Sequence, residues 1–305
     1  YVKRPPRSQS PRMTSAVHCG SIGAMGRVTS RAAAGTTARR TPRAFALCAF
    51  AVLAPLAGGA PAWAACVGEG PADLAELEAT GFRNPPQAIT LARQQLAAPA
   101  TAKEPLRVAA LHAIISEAAR QTGQPAAALD AARQGLAALD DSAATPLRVR
   151  LRIALALALQ GSKQTDAGIV ELDGALAMTE PRSKAAACVL KDRGWLHFDR
   201  SNIEGALLDL TLAYELLRVH DDPPQRMITA GRLAAAYAMA REFDQAIRLL
   251  EETIAYFRAT GALSRLPTAY DRLGRAWWQA GQLERAEEAF EQMRFRAQDL
   301  DDVVA

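Results

Sequence analysis

Histidine and cysteine, which recur in metal sites and in nucleophilic catalysis, are scarce in this chain. Its 305 residues include four of each, and the histidines outside the N-terminal region (His112, His197 and His220) lack metal-ligand spacing. G-x-x-x-x-G-K-[ST], H-E-x-x-H and G-x-S-x-G motifs are also absent. We therefore predict no enzyme activity, no catalytic or metal-binding residues and no cofactor, and we expect His112 to pack in the core.

The four cysteines do not form a spaced motif either. Cys19 and Cys48 lie in the N-terminal region, which leaves Cys66 and Cys188 for the rest of the chain. We predict that these two are small buried hydrophobic residues. A disulfide between them is the alternative if the chain is in an oxidising compartment.

Acidic residues are missing from the start of the chain. Residues 1–43 contain nine basic residues and no acidic one, and the apolar run Ala44–Leu56 follows. Ala62–Ala64 then supplies an Ala-x-Ala sequence before Ala65. A basic region, an apolar region and a small-residue exit predict a signal peptide over residues 1–64 and a periplasmic or secreted protein.

Two alternatives to a soluble, cleaved protein remain open, and the start of the chain is a separate question. The apolar segment could anchor the chain in a membrane, although it is short and Pro55 and Gly58 interrupt it. Cys66 could carry a lipid, but Trp63 occupies the place where a leucine is usual. Because the chain begins at Tyr1, it is expected to be a fragment or to start at a later methionine, Met13 or Met25.

The charge of the chain is divided unevenly. The net charge of +4 and the pI near 9.0 come from the leader, because residues 65–305 hold 27 basic and 32 acidic residues, a net charge of −5. A basic chain suggests nucleic-acid binding. The acidic remainder gives that function no support, so we expect no nucleic-acid partner and contact with a membrane only through the leader or a segment outside this sequence.

No alternating pattern typical of strands occurs after Pro71, where the sequence is rich in good helix formers. Small residues recur every 39 or 40 positions along this region. They are Ala88, Ala128, Ala167, Ala206, Ala246 and Ala286. Nine positions before each alanine the last three units carry large residues and the first three carry alanine. This periodicity predicts six helical hairpins over residues 65–305.

The last unit defines the type of hairpin. Leu273-Gly274 and Trp277 mark its first helix, Gly281 its turn, and Ala286 and Phe290 its second helix. This order resembles the tetratricopeptide (TPR) repeat, a helical hairpin of about 34 residues. The resemblance covers roughly residues 70–298 and implies an all-α, right-handed superhelix of about six TPR-like hairpins with a period near 40 residues.

Turn and capping residues in the sequence predict where the helices begin and end. The long period suggests extended linkers at Arg218–Gln225 and Ala259–Pro267, and Ser201 with Glu204 has the spacing of a capping box. The first unit, around Ala72–Leu96, has a short leading helix and fits an N-terminal cap. The last helix is expected to end near Gln298, before a frayed tail.

In TPR proteins the first helices line a concave surface on which partners dock. Outward positions on the first helices of units four and six combine aromatic and charged residues, the types enriched at binding hot spots. The predicted partner-binding groove consists of Lys191, Trp195, Phe198, Asp271, Arg275 and Trp278. The alternative is that Trp195 and Trp278 pack against neighbouring repeats.

These features predict a non-catalytic, exported bacterial scaffold that binds a protein or peptide in its concave groove. A narrower resemblance rests on the leader, the Gly-Phe-x-x-Pro opening at Gly81–Pro85 and the long hairpins. Together they are similar to the periplasmic sensor half of bacterial GGDEF diguanylate cyclases. That resemblance implies a truncated sensor half as the alternative function, with no catalytic residue to carry over.

Overall fold

The computed structural model describes Cys66, residues 71–140 and residues 146–304. The predicted signal peptide lies outside the described residues. The described part contains twelve α-helices and no strand, which confirms the all-α prediction. The helices are α1 (Ala75–Arg83), α2 (Pro85–Leu96), α3 (Pro105–Gln121), α4 (Pro125–Ala137), α5 (Pro146–Gly161), α6 (Thr165–Ala177), α7 (Lys184–Asp199), α8 (Ile203–Val219), α9 (Pro223–Met239), α10 (Phe243–Ala259), α11 (Leu266–Gln279) and α12 (Leu283–Val304).

Consecutive helices pair into six antiparallel hairpins, α1 with α2 through α11 with α12. We call the odd-numbered helices the first helices and the even-numbered ones the second helices. Each second helix packs between consecutive first helices, and first helices of successive hairpins also touch one another. The first helices therefore form the inner face of the stack, as expected for a TPR-like superhelix, and α1 is the short leading helix of a terminal hairpin.

The turn inside a hairpin has a repeated backbone geometry. Each second helix has one recurring small residue near its start, which we call the small position. In hairpins two to six the residue five before the small position has a left-handed backbone, with φ between 60° and 79°. In the last hairpin this residue is Gly281, and the N–H of Gln282 then donates to the carbonyl of Trp277 at 2.9 Å. Such a bond satisfies a carbonyl that the helix end leaves free.

The capping prediction at Ser201 is wrong by one residue. Ser201 itself takes the left-handed conformation, with φ of 60°. Asn202 is the cap, and its side-chain oxygen accepts a hydrogen bond from the N–H of Gly205 at 3.1 Å. The turn needs one residue more than the capping box allowed for, so the cap moves to the next position along the chain.

The small positions hold five of the six predicted alanines. Ala88, Ala128, Ala206, Ala246 and Ala286 are all buried where the two helices of a hairpin meet. The prediction for hairpin three is wrong, because Ala167 is exposed and Gly168 is buried in its place. A Cβ on Gly168 would lie 2.8 Å from the carbonyl oxygen of Ala156 in the facing helix.

The register set by Gly168 also places an apolar residue at the next core position of the helix. Four residues after Gly168 comes Leu172, which is fully buried, whereas the position assigned from Ala167 was Glu171. Each second helix begins three residues before its small position, and α6 does so only if that position is Gly168. The six hairpins thus share one register.

Long helices, rather than long linkers, account for most of the period near 40 residues. α8, α9 and α10 are each 17 residues long. The predicted linker at Arg218–Gln225 is wrong, since only residues 220–222 separate α8 from α9. The second predicted linker is confirmed between α10 and α11, where Leu263–Arg265 forms a 3-10 turn.

The chain's last helix is also longer than expected. α12 extends to Val304, past the end predicted near Gln298. Residues 299–304 carry three aspartates and two valines, and their acidity suggested a tail. The helix has no breaker there, since neither glycine nor proline occurs after Gln298.

Two large clusters of buried side chains lie in the later hairpins. One lies among α5–α8 and includes Leu172, Leu196 and Leu217. The other joins α9–α12 through Leu250 and Phe257, among others. These clusters fix the first helices relative to one another. Of the helices described, none combines the length and the apolar character required to cross a bilayer.

Candidate partner-binding groove

The inner face encloses a cavity of about 490 Å³. Side chains from the first helices of hairpins one to five line it, and so does the start of hairpin six. Its apolar lining includes Ile153 and Leu157 on α5 and Ile228 on α9. Its size falls in the range of ligand-binding clefts. The cavity therefore lies where partners were predicted to dock.

Charged side chains form one wall of this cavity. The Lys191 ammonium donates to Oε1 of Gln225 at 2.9 Å and lies 3.7 Å from the Asp192 carboxylate. Arg232 on α9 donates to the same carboxylate at 2.5 Å and to the carbonyl of Lys191 at 3.1 Å. Asp192 thus serves two cations and ties α7 to α9.

The protonation states in this wall follow from burial and pairing. Burial would raise the pKa of Asp192, but Lys191 and Arg232 outweigh it and hold that pKa below its ordinary value. Burial lowers the pKa of Lys191, with partial compensation from Asp192. Asp192 is therefore a carboxylate at neutral pH, and it stabilises the cations beside it.

A second buried ion pair joins distant parts of the chain. Arg150 on α5 donates to Oε1 of Glu78 on α1 at 2.7 Å, and both side chains are almost fully buried. The two residues are 72 positions apart, so the pair links hairpin one to hairpin three. Arg150 also lines the cavity.

Trp195 lies beside the charged wall, and two guanidinium groups approach its ring. Arg232 and Arg272 approach its ring centroid to 5.5 Å and 5.4 Å. Its ring stacks on Phe198 with centroids 5.0 Å apart. Burial and the nearby Arg232 lower the pKa of Arg272 to about 10, which leaves it charged at neutral pH. Cation–π contacts of this type attract a guanidinium to an aromatic face.

Cys66 and Cys188 are buried as predicted, but they form the disulfide that was the alternative rather than two separate thiols. Their Cα atoms lie 5.9 Å apart and 122 residues separate them in sequence. Both residues are buried and both line the cavity. The sequence left this pairing open, since either buried thiols or a disulfide satisfies an apolar environment. The bond attaches the segment at Cys66 to α7 at the edge of the groove.

The structure separates the six predicted groove residues into two groups. Lys191, Trp195 and Phe198 lie together on α7, and Lys191 lines the cavity. Lys191 is not an outward side chain as expected, because only 8% of it is exposed. Trp195 is half-buried and also packs against the cluster among α5–α8, so the alternative of packing holds for it in part.

The other group lies on α11 outside the cavity lining. Asp271 and Arg275 bond to each other, with Nε to Oδ2 at 2.9 Å. Trp278 is 60% exposed, so the expectation that it points away from the core is met. The part of the chain described shows no ring contact between Trp278 and Trp195. The two tryptophans are separate features of the inner helices.

The histidines and the paired aspartates have structural roles. Burial lowers the pKa of the half-buried His112. The ring of His220 contacts the carbonyl of Arg182 at 2.8 Å. Asp222 caps α9, since its side-chain oxygen accepts from the N–H of Gln225 at 3.1 Å. No group of metal-ligating side chains suited to an ion occurs within the described ranges.

Sequence reasoning missed most of the cavity's charged residues. The missed lining residues are Glu117, Arg120, Arg150, Asp192, Arg232 and Arg265, and Arg272 beside the cavity was missed as well. A signal was present: Arg150, Lys191, Arg232 and Arg272 follow one another at spacings of 41, 41 and 40, the period of the hairpins. Tracking charge at that period, as was done for alanine, would have found this ladder.

Comparison with known proteins establishes the type of fold. No family model and no curated protein matches the chain. Solved structures do, and BtubC (BKLC) from P. vanneervenii is 17% identical with a TM-score of 0.55, covering 74% of this chain and 92% of that one. A point variant of a Podosopora anserina putative kinesin light chain with nearly identical TPR-like repeats is 20% identical with a TM-score of 0.50, covering 63% and 95%.

A third similar structure is that of a phosphatase. Aspartyl phosphate phosphatase F from Bacillus subtilis is 15% identical with a TM-score of 0.52, covering 71% of this chain and 56% of that chain. At such identities the similarity shows a fold and carries no activity across. The TPR-like architecture predicted from the repeats is confirmed.

Proposed function

We propose that this chain is a non-catalytic scaffold that binds an extended or helical segment of a partner protein in its inner groove. The observation that carries the proposal is the cavity of about 490 Å³ on the face where the first helices converge. A surface with both apolar and charged groups suits a peptide, because apolar contacts supply affinity and charges supply orientation.

The groove residues named from the sequence belong to this proposal. In this proposal Lys191 and Arg232 contact the partner inside the cavity, Trp195 and Phe198 contact it beside the cavity on α7, and Asp271, Arg275 and Trp278 would add contacts on α11. Trp195 and Trp278 supply the rigid aromatic area that hot spots favour. The exposed Trp278 is available to a partner without any rearrangement of the fold.

The non-catalytic part of the proposal rests on the cavity's chemistry. The lining residues include no histidine, and the two cysteines that line it are bonded to each other. Ser264 and Thr268 are its hydroxyl residues, and no base among the described side chains bonds to either of them. A nucleophile needs a base within hydrogen-bond reach to be activated.

We further propose that the chain is exported to the periplasm or secreted. The tripartite leader of residues 1–64 motivates this, and the Cys66–Cys188 disulfide supports it. Disulfides persist in oxidising compartments and are rare in the cytosol. N-terminal sequencing of protein recovered from the periplasm should give Ala65 as the first residue, whereas an intact leader in membranes would indicate an anchor.

A sensor half of a diguanylate cyclase is the second candidate. The opening Gly81–Pro85 supports it, since Gly81 is buried and Phe82 lines the cavity at the first hairpin. In this case the groove would detect a signal for a separate enzyme domain. Coding sequence beyond Ala305 with an apolar segment of about 20 residues and then Gly-Gly-Asp/Glu-Glu-Phe would favour this candidate over a free scaffold.

A groove-filling variant tests the main proposal. Thr268 is exposed and lines the cavity, so Thr268→Trp should fill the mouth without disturbing the core. Gln134→Trp, on the exposed side of α4, is the matched control. Partners captured from envelope extract by the wild type and by the control should be lost with Thr268→Trp. Equal capture by all three proteins would contradict the proposal.

Titration of a captured partner then assigns the aromatic residues. Trp195→Ala and Trp278→Ala should each weaken binding by about 2 kcal/mol. Arg275→Ala should act mainly on the association rate and should depend on salt. Circular dichroism checks each fold. If both tryptophan variants unfold, these residues belong to the core and their assignment to the groove is wrong.

A further inference from the structure

The inner groove carries more positive than negative charge. Among the described residues, six cations line it or lie beside it, against three carboxylates, Glu78, Glu117 and Asp192. This leaves a net charge of +3 at neutral pH. The cations are Arg120, Arg150, Lys191, Arg232, Arg265 and Arg272.

The imbalance is concentrated at the end formed by hairpins five and six. Asp192 is the carboxylate that bonds Arg232, and it is already shared with Lys191. Within the described residues, no carboxylate lies at ion-pair distance from Arg265 or Arg272. Burial, with Arg232 and Arg120, lowers the pKa of Arg265, so the fold keeps these cations close together at a cost.

The surrounding charge makes this arrangement selective. Residues 65–305 have a net charge of −5, so the positive groove is a local exception on an acidic chain. A cleft lined by charge of one sign concentrates ligands of the opposite sign. Arginine also binds carboxylates through two parallel hydrogen bonds, which gives orientation as well as attraction.

We propose that the groove selects an acidic peptide segment, with carboxylate side chains bound at Arg265, Arg272 and Arg232 and apolar neighbours on Ile153, Leu157 and Ile228. The inference rests on the proposed function and adds the charge of the partner. A purely small-anion site is disfavoured by the apolar residues of the lining, which offer an anion such as phosphate no contact.

The test uses short fluorescein-labelled peptides of alternating glutamate and leucine, with glutamine–leucine and lysine–leucine analogues, titrated into the full, oxidised chain. The glutamate peptide should bind, the glutamine analogue about tenfold or more weakly, and the lysine analogue not at all. Added salt should weaken binding of the glutamate peptide.

Matched arginine variants locate the site. Arg265→Gln should weaken glutamate-peptide binding by about tenfold, and Arg265→Lys should recover part of the loss because the charge remains. Arg133→Gln, which removes an exposed arginine from the second helix α4, should have no effect. Equal losses in Arg265→Gln and Arg133→Gln would mean that net charge alone attracts the peptide and would overturn the inference.

The remaining outcomes separate this inference from the proposed function. Equal binding of the glutamate and glutamine peptides, or failure of the glutamate peptide to bind, overturns the acidic selectivity. The groove proposal still stands in either case if Thr268→Trp abolishes capture of partners. Displacement of the glutamate peptide by inorganic phosphate at a similar concentration would show a small-anion site and would also overturn the inference.

Discussion

The first and second helices differ in how much charge they bury. The second helices bury small residues, such as Ala206, Gly168 and Ala246, where they meet a first helix. The first helices bury charge, although a buried charge costs several kcal/mol unless it is paired. Their buried charged residues are Glu78, Arg148, Arg150, Lys191 and Asp192. The second helices bury only Asp209 in the described part of the chain.

This difference indicates which half of each hairpin is free to bind. Small residues let two helix backbones approach, and their burial contributes stability without offering contacts to a partner. Paired charges on the inner helices contribute little net stability, since desolvation offsets their attraction. Both kinds of helix bury many apolar side chains, so they share the stabilising core, and we assign recognition mainly to the first helices, which hold most of the buried charge.

The largest expected effect comes from removing the shared carboxylate of the inner face. Asp192→Ala leaves Lys191 and Arg232 buried without their partner, so unfolding free energy should fall by about 3–5 kcal/mol. Urea denaturation measures it. Asp173→Ala is the control, because Asp173 is 55% exposed and its pair with Arg193 should contribute at most about 1 kcal/mol. Similar losses of unfolding free energy in the two variants would contradict the conclusion that the buried Asp192 carboxylate matters more than the exposed Asp173 carboxylate.

The disulfide should have the next largest effect. Cys66→Ala releases a segment tied to α7 across 122 residues and should lower the unfolding free energy by about 2–4 kcal/mol. Adding a reductant to the wild type should reproduce the loss and leave Cys66→Ala unchanged. If the variant and the wild type unfold at the same urea concentration, the bond does not stabilise the native chain.

A smaller effect is expected on the second helices. Ala246→Leu forces a larger side chain into a closed contact between α9 and α10 and should cost about 1–3 kcal/mol. Glu287→Leu, exposed on α12, should cost little. Hydrogen exchange should show the greatest damage in the adjacent hairpins. A melting temperature for Ala246→Leu equal to that of the wild type would refute the register.

The smallest effects come from two glycines on one helix that should respond with opposite signs. Gly168→Ala places a Cβ 2.8 Å from a backbone oxygen and should destabilise by about 1–2 kcal/mol despite better helix propensity. Gly174→Ala meets only the end of the flexible Arg152 side chain and should stabilise by up to about 1 kcal/mol. Thermal melts of both variants test this. Stabilisation by both would return the small position to Ala167.

The periodic alanines and turn glycines were sufficient to predict the hairpins and five of the six small positions. The small position of hairpin three was misplaced by one residue because Ala167 and Gly168 are adjacent and both small. Only the close approach of the Ala156 backbone to Gly168 shows which of them lies at the helix contact. The cap at Asn202 was missed for a similar reason, since Ser201 and Asn202 are both good caps and the left-handed turn decides between them.

The groove was harder to predict because its residues come from different hairpins. Lys191 meets Gln225 across 34 residues and Arg232 meets Asp192 across 40. Such pairs form only when adjacent hairpins stack in a particular way, and a local sequence pattern does not predict that stacking. Cys66 and Cys188 likewise become neighbours only once the stack is built.

Hydrogen–deuterium exchange of the chain with and without a captured partner tests the division between inner and outer helices most directly. The account predicts that the partner slows exchange in α5, α7 and α9, around Arg150, Lys191 and Arg232, and leaves the second helices α6, α8 and α10 unchanged. Protection confined to the second helices would place the partner on the outer face and contradict the central claim.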